Sequence, residues 1–195
     1  MKTAKLMTAL LVAAGLAGTG GAWAQTGSKD ARDAAVRSAE AQYKTAKAAC
    51  DALSGNAKDI CVEEAKGNER VAKAEAEAAY NSTPRMRERA RVVRADAVYE
   101  VAKEKCDDLS GNPKDVCVKE AKAAHVKALA DAKVDRVAAD ERRAGAEQTM
   151  AAKREATEDK RDADYQVAIE KCDALAGAAK DNCVRDAKVR YGKTS

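Results

Sequence analysis

The chain contains no phenylalanine, one histidine, one tryptophan and only two prolines in 195 residues. With aromatic residues at 3%, the large interlocking side chains of a thick globular core are excluded. The single histidine, His125, rules out a histidine-rich metal cluster and has no nucleophile fixed beside it in sequence. The shortage of proline leaves long stretches in which nothing interrupts a helix. Phosphate-cradling glycine loops and the Gly-x-Ser-x-Gly turn of hydrolases are also missing. Asp and Glu are plentiful, but they read as solvated helical charge and single out no acid–base pair.

Long apolar runs are scarce too, and the one present is N-terminal. Lys2 and Lys5 precede an apolar segment from Leu6 to about Ala17, and Ala22-Trp23-Ala24 stands before Gln25. This is the three-part pattern of a secretory signal peptide cleaved after Ala24. The run is broken by glycines and falls short of the ~20 residues of a membrane span. The expected exported chain begins near Gln25 and has no transmembrane segment. Cleavage removes two lysines, so the net charge falls by two from +4 to +2. That balance, with no interleaved aromatics, argues against nucleic acid as a partner.

What the chain does have is a unit that occurs three times. It reads Tyr43-x6-Cys50-Asp51-x-Leu53-x-Gly55-x2-Lys58-Asp59-x-Cys61-Val62, then returns around Cys106 and Cys117 and again around Cys172 and Cys183. All six cysteines belong to these copies, two in each with ten residues between them. Zinc sites place ligands closer together, and redox pairs favour Cys-x-x-Cys at a helix N-terminus. Structural disulfides in an oxidising compartment are the better reading. Six cysteines allow 15 pairings, and the threefold repetition selects the local ones: Cys50–Cys61, Cys106–Cys117 and Cys172–Cys183. No metal and no cofactor is expected.

Everything around these units reads as helix, because Ala, Lys, Glu and Arg are strong helix formers. The first arm carries a seam at Val36, Ala39, Tyr43, Ala46, Cys50 and Leu53; the second repeats it at Val92, Ala95, Tyr99, Ala102, Cys106 and Leu109. Spacings of three and four make a heptad-like stripe. The return arm continues it through Cys117, Ala121, Ala124, Ala128 and Ala132. In the third arm, Tyr165, Ala168, Cys172 and Leu175 hold the register. Glu158 and Arg161 interrupt it upstream, which predicts a shorter packed length. Between the cysteines, Gly55 and Gly111 suit a left-handed position past a helix end. Asn112 suits a cap and Pro113 the first helical turn; the third copy has Ala178 in place of the Asn, predicting a weaker cap.

The expected fold class is therefore all-α: three disulfide-stapled αα-hairpins with heptad-like seams, arranged as an elongated helical array or an antiparallel bundle. The divisions fall at 1–24 for the leader, 25–82, 83–145 and 146–195 for the hairpins. Asn81-Ser82-Thr83-Pro84 marks the first boundary. Across the second, 113–164 reads either as one long helix or as two with a break near Gly145 or Thr157.

Three features stand out as functional candidates. Arg85, Arg87, Arg89, Arg91 and Arg94 cluster after Pro84 with Glu88 as the only acid among them. Five cations at a helix start oppose its dipole, so an anion-binding role is weighed against neutralisation by neighbouring acidic arms. Tyr43, Tyr99 and Tyr165 read as packing elements of each arm rather than a ligand platform. His125 reads as a solvated helical residue.

The leader, the Ala/Lys/Asp/Glu-rich helices and the repeated Cys-Asp-x-Leu-x-Gly-x-x-Lys-Asp-x-Cys-Val units resemble uncharacterised exported proteins of Gram-negative bacteria. In composition the helical part is similar to the stalk of the envelope protein TolA. The resemblance implies a periplasmic location and no catalytic residue. The function expected is a non-catalytic periplasmic spacer, scaffold or interaction protein of the cell envelope, with an unknown envelope protein or an anionic envelope polymer as partner and self-association compatible. A stress-related chaperone or anionic-polymer binder is the alternative, and a thiol redox or metal-handling protein the third.

Overall fold

The computed structural model describes residues 27–141 and 147–193. The leader at 1–24 and Gly145 lie outside the described residues. Six helices follow in order: α1 Lys29–Cys50, α2 Gly55–Tyr80, α3 Pro84–Cys106, α4 Gly111–Glu141, α5 Glu147–Cys172 and α6 Gly177–Arg190. The chain is all-α, and its three disulfides are Cys50–Cys61, Cys106–Cys117 and Cys172–Cys183, with Cα–Cα separations of 5.6, 5.7 and 5.7 Å. No helix among the described residues is long and apolar enough to cross a membrane.

Each helix packs only against its neighbours in sequence, and α2 lies on α3 as α1 lies on α2. The result is neither a closed bundle nor a string of separate hairpins. It is an open, side-by-side antiparallel array with α1 and α6 as its edges. Because the helices alternate in direction, all three disulfide turns lie at one end of the array, and residues 81–83 lie at the other.

Alanine explains this shape. Among the described residues, the buried apolar side chains are alanines apart from Pro84, Val137 and three cysteines, Cys50, Cys106 and Cys172. Each such contact removes little area from water at ~25 cal/mol per Å², so a single seam holds a helix weakly, and the inner helices use two. In α4, Ala123, Ala130, Ala132, Val137 and Glu141 are all buried between α3 and α5.

Methyl groups fit one another in several registers, so charge has to select among them. Arg32–Glu77 and Lys73–Glu40 join α1 to α2, and Lys105–Glu64 and Arg94–Glu75 join α2 to α3. Arg136–Glu88 and Arg91–Asp135 join α3 to α4. Lys119–Glu170, Lys127–Asp164 and Lys133–Glu155 join α4 to α5. Exposed pairs of this kind contribute about 0–1 kcal/mol each; their role is to fix which methyls meet.

Several expectations change. Three leucines do not complete the seam: Leu53, Leu109 and Leu175 are each 44% exposed on the turns. Ala46, Ala124 and Ala128 are exposed as well. They fail as seam positions because a neighbour covers only part of each helix. The stretch 113–164 falls in two helices, one ending at Glu141 and the other beginning at Glu147; Thr157 lies inside α5 and its hydroxyl donates to the Lys153 carbonyl at 2.8 Å. Buried Glu141 serves that junction, since its carboxylate accepts from both the amide and the hydroxyl of Thr149. The third arm is not shortened on both sides: α5 packs along α4 from Glu155 to Glu170 despite Glu158 and Arg161. Only its contact with the 14-residue α6 is short, with Tyr191 meeting Tyr165 edge-on at 6.1 Å.

Candidate functional site: stapled turns and a groove over α3

The three turns are built alike. The amides of Leu53, Leu109 and Leu175 donate to the carbonyls of Cys50, Cys106 and Cys172 at 2.9–3.0 Å, closing each helix end. Gly55, Gly111 and Gly177 then take φ of +56°, +59° and +54° at the entry to the return helix, a region that L side chains disfavour. The left-handed glycine thus opens the second helix instead of ending the first. Lys58–Asp51, Lys114–Asp107 and Lys180–Asp173 pair at 2.9, 2.8 and 2.9 Å across the three turns. These pairs account for the Asp of the Cys-Asp element and the Lys of the Lys-Asp element in each repeat.

The asparagines act differently from the expected caps. Asn56 Nδ2 donates to the Glu104 carbonyl at 2.8 Å, and Asn112 Nδ2 donates to the Glu170 carbonyl at 3.1 Å. Each asparagine therefore clips its own turn to the last turn of the helix that begins the next hairpin. Ala178, the third equivalent, sits on α6, which packs only against α5. Asn112→Ala is expected to cost about 0.5–1.5 kcal/mol in urea unfolding, while Ala178→Asn changes stability by less than about 0.5 kcal/mol. Equal effects would contradict the clip.

The turn ion pairs respond to pH. A hydrogen bond from Lys58, reinforced by its charge, holds the Asp51 carboxyl below its ordinary range. The same arrangement with Asp107 raises Lys114. The Asp51 contribution is complete above the ordinary aspartate range and is lost as pH falls through the depressed value. The Lys114 contribution is complete below the ordinary lysine range and is lost as pH rises through the raised value. In an NMR titration, the Asp51 carboxyl is expected to titrate at higher pH in Lys58→Met than in the parent chain; coincident curves would contradict the pairing.

One broad face carries a groove of about 720 Å³, floored by α3 and walled by α2 and α4. Ala90, Ala95, Val98, Tyr99 and Ala102 supply α3's side, and Ala121, Ala124, His125 and Ala128 supply α4's. Val98 is 62% exposed. His125 is half-buried rather than solvated. Its ring stacks on Tyr99 with centroids 4.9 Å apart, and its Nε2 lies 2.6 Å from Asp96 Oδ1. Sequence reading missed this contact because its partners come from another helix; the only signal was the position of His125, eight residues after Cys117 and level with Tyr99.

The arginine cluster divides. Arg87, Arg91 and Arg94 line the groove, at the i, i+4, i+7 spacing of one helical face; Arg85 and Arg89 do not line it. Arg91 pairs with Asp135 and Arg94 with Glu75, whereas the Arg87 guanidinium donates to the Ser82 carbonyl at 2.8 Å. Among the described residues, Arg85, Arg87 and Arg89 have no carboxylate within ion-pair distance. All six cysteines are in disulfides, and none is left as a thiol to act as nucleophile or ligand. Tyr43 and Tyr99 are half-buried under Lys47 and Lys103 at 5.9 and 5.7 Å.

No family model matches this chain, and no curated protein or solved structure proves similar to it.

Proposed function

We propose that this chain is a non-catalytic helical scaffold or interaction protein of the bacterial cell envelope, exported to the periplasm by the leader at 1–24. The observation that carries this reading is the open array. Helices that pack only on their chain neighbours leave two broad faces uncovered, and three disulfides brace one end. Such a molecule has more surface to present than core to bury, as in repeat proteins whose extended faces bind partners. Disulfides persist outside the reducing cytosol, which agrees with export. An anionic envelope polymer is a second reading, favoured by the three exposed arginines without carboxylate partners.

Cell fractionation with thiol alkylation tests the first reading, combined with a photo-crosslinking residue at Val98 or Leu109. Periplasmic protein beginning at Gln25, with no alkylated cysteine and discrete envelope adducts from those two positions but not from exposed Lys44, is the expected result. Cytosolic protein with free thiols would overturn it.

A further inference from the structure

The groove over α3 is sorted by polarity along its length. Toward the start of α3 it is lined by Arg87, Arg91 and Arg94, with Glu75 and Asp131 opposite. Toward the disulfide end the lining is Ala95, Val98, Tyr99 and Ala102 on one side and Ala121, Ala124 and His125 on the other. From Arg87 to Ala102 the α3 axis rises about 22 Å at 1.5 Å per residue, so the groove is long for its volume of about 720 Å³. That volume lies within the range of about 300–1,000 Å³ typical of small-molecule sites.

We propose that this groove binds a single-chain amphiphile with an anionic headgroup, such as a long-chain carboxylate or alkyl phosphate. The headgroup lies at Arg87, Arg91 and Arg94, and the chain runs along Val98 toward Ala102. This goes beyond the scaffold reading and does not rest on it.

Three observations select that ligand class. Apart from Tyr99 and the His125 ring, which Asp96 already holds, the apolar end is lined by alanine and valine methyls. These offer no hydrogen bonds to a sugar or peptide backbone but gain from covering by hydrocarbon at ~25 cal/mol per Å². Val98, 62% exposed, is the side chain such a chain would cover. The cations are confined to one end, which suits one headgroup; a polymeric anion would call for cations repeated along the groove. Finally, among the described residues the Arg87 guanidinium has no carboxylate partner, and those of Arg91 and Arg94 are tied to exposed Asp135 and Glu75. Exposed pairs of that kind contribute little, so a headgroup can take up their remaining donors bidentately.

Calorimetric titration of the disulfide-intact protein below micelle-forming concentrations tests the proposal, with laurate, dodecyl phosphate, dodecyl maltoside, butyrate and inorganic phosphate as separate probes. Laurate and dodecyl phosphate are expected to bind with one molecule per chain. Dodecyl maltoside should bind at least about tenfold more weakly, and butyrate and inorganic phosphate not at all. Arg87→Ala should weaken laurate about five- to tenfold. Val98→Asp changes an exposed position, so its thermal melt should match the parent while laurate binding is lost. Butyrate or phosphate binding as tightly as laurate would overturn the proposal, as would Val98→Asp binding laurate like the parent. Either result leaves the scaffold reading intact, since that reading is decided by compartment and crosslinks.

Discussion

Replacing Cys106 and Cys117 together by serine is expected to lower the thermal midpoint by about 5–10 °C, the deepest loss from any one hairpin staple. Each bridge joins residues 11 apart and contributes about 2–3 kcal/mol by restricting the unfolded chain; for a chain of this size, 1 kcal/mol shifts the midpoint by about 2–4 °C. The middle bridge has the largest consequence because α3 and α4 each pack against two neighbours. Loosening their turn weakens the seams on both sides, including the clip from Asn112 to Glu170. Removing Cys172 and Cys183 has a different outcome. The 14-residue α6 packs only against α5, so hydrogen exchange should accelerate in α6 while the main transition moves little. Scanning calorimetry and exchange on the two double variants together check this. Equal midpoint shifts would mean that the array does not transmit stability through its centre.

The second large effect is expected at Gly67, where α2 and α3 approach most closely for a glycine. A Cβ placed there would lie 3.1 Å from the Ala97 Cβ, and both residues are buried. Gly67→Leu should separate the first hairpin from the second and destabilise the protein by about 1–3 kcal/mol through overpacking. This persists despite a gain of up to about 1 kcal/mol from removing a glycine inside a helix. Gly67→Ala is the instructive control, because the helix gain and the tight contact nearly offset. Urea unfolding of the two variants measures the difference. A stabilised Gly67→Leu would show that the α2–α3 seam is loose and that the hairpins are independent.

How much of this was visible in the chain follows from which contacts are local. The cysteine pairing, the left-handed glycines and the break before Pro84 all depend on residues within one turn, and the repeat states them three times. Lateral packing of α2 on α3 and α4 on α5 was not visible. In a helix rich in alanine many faces are equally apolar, so a three-four stripe marks one seam and hides the second. The same ambiguity placed Leu53, Leu109 and Leu175 in the seam, although they sit on the exposed turns. Asn56 and Asn112 looked like caps because their local spacing permits it; their acceptors, Glu104 and Glu170, lie 48 and 58 residues away. The groove shares this origin: Arg87, Arg91, Arg94, Val98 and Ala102 share a face of α3 by sequence, but the walls that make that face a groove come from α2 and α4.

The central claim is that the hairpins lie side by side in an open row with all three stapled turns at one end. It is tested most directly by a pulsed electron-spin distance measurement between labels attached, without added cysteine, at exposed Leu53 and Leu175. Four helix spacings of 8–10 Å separate those turns, so a single narrow distribution at about 30–40 Å is the result expected. A peak near one or two spacings, about 10–20 Å, would mean that the row closes into a bundle. A broad distribution extending far beyond the expected range would mean that the hairpins hang separately, and either would contradict the array.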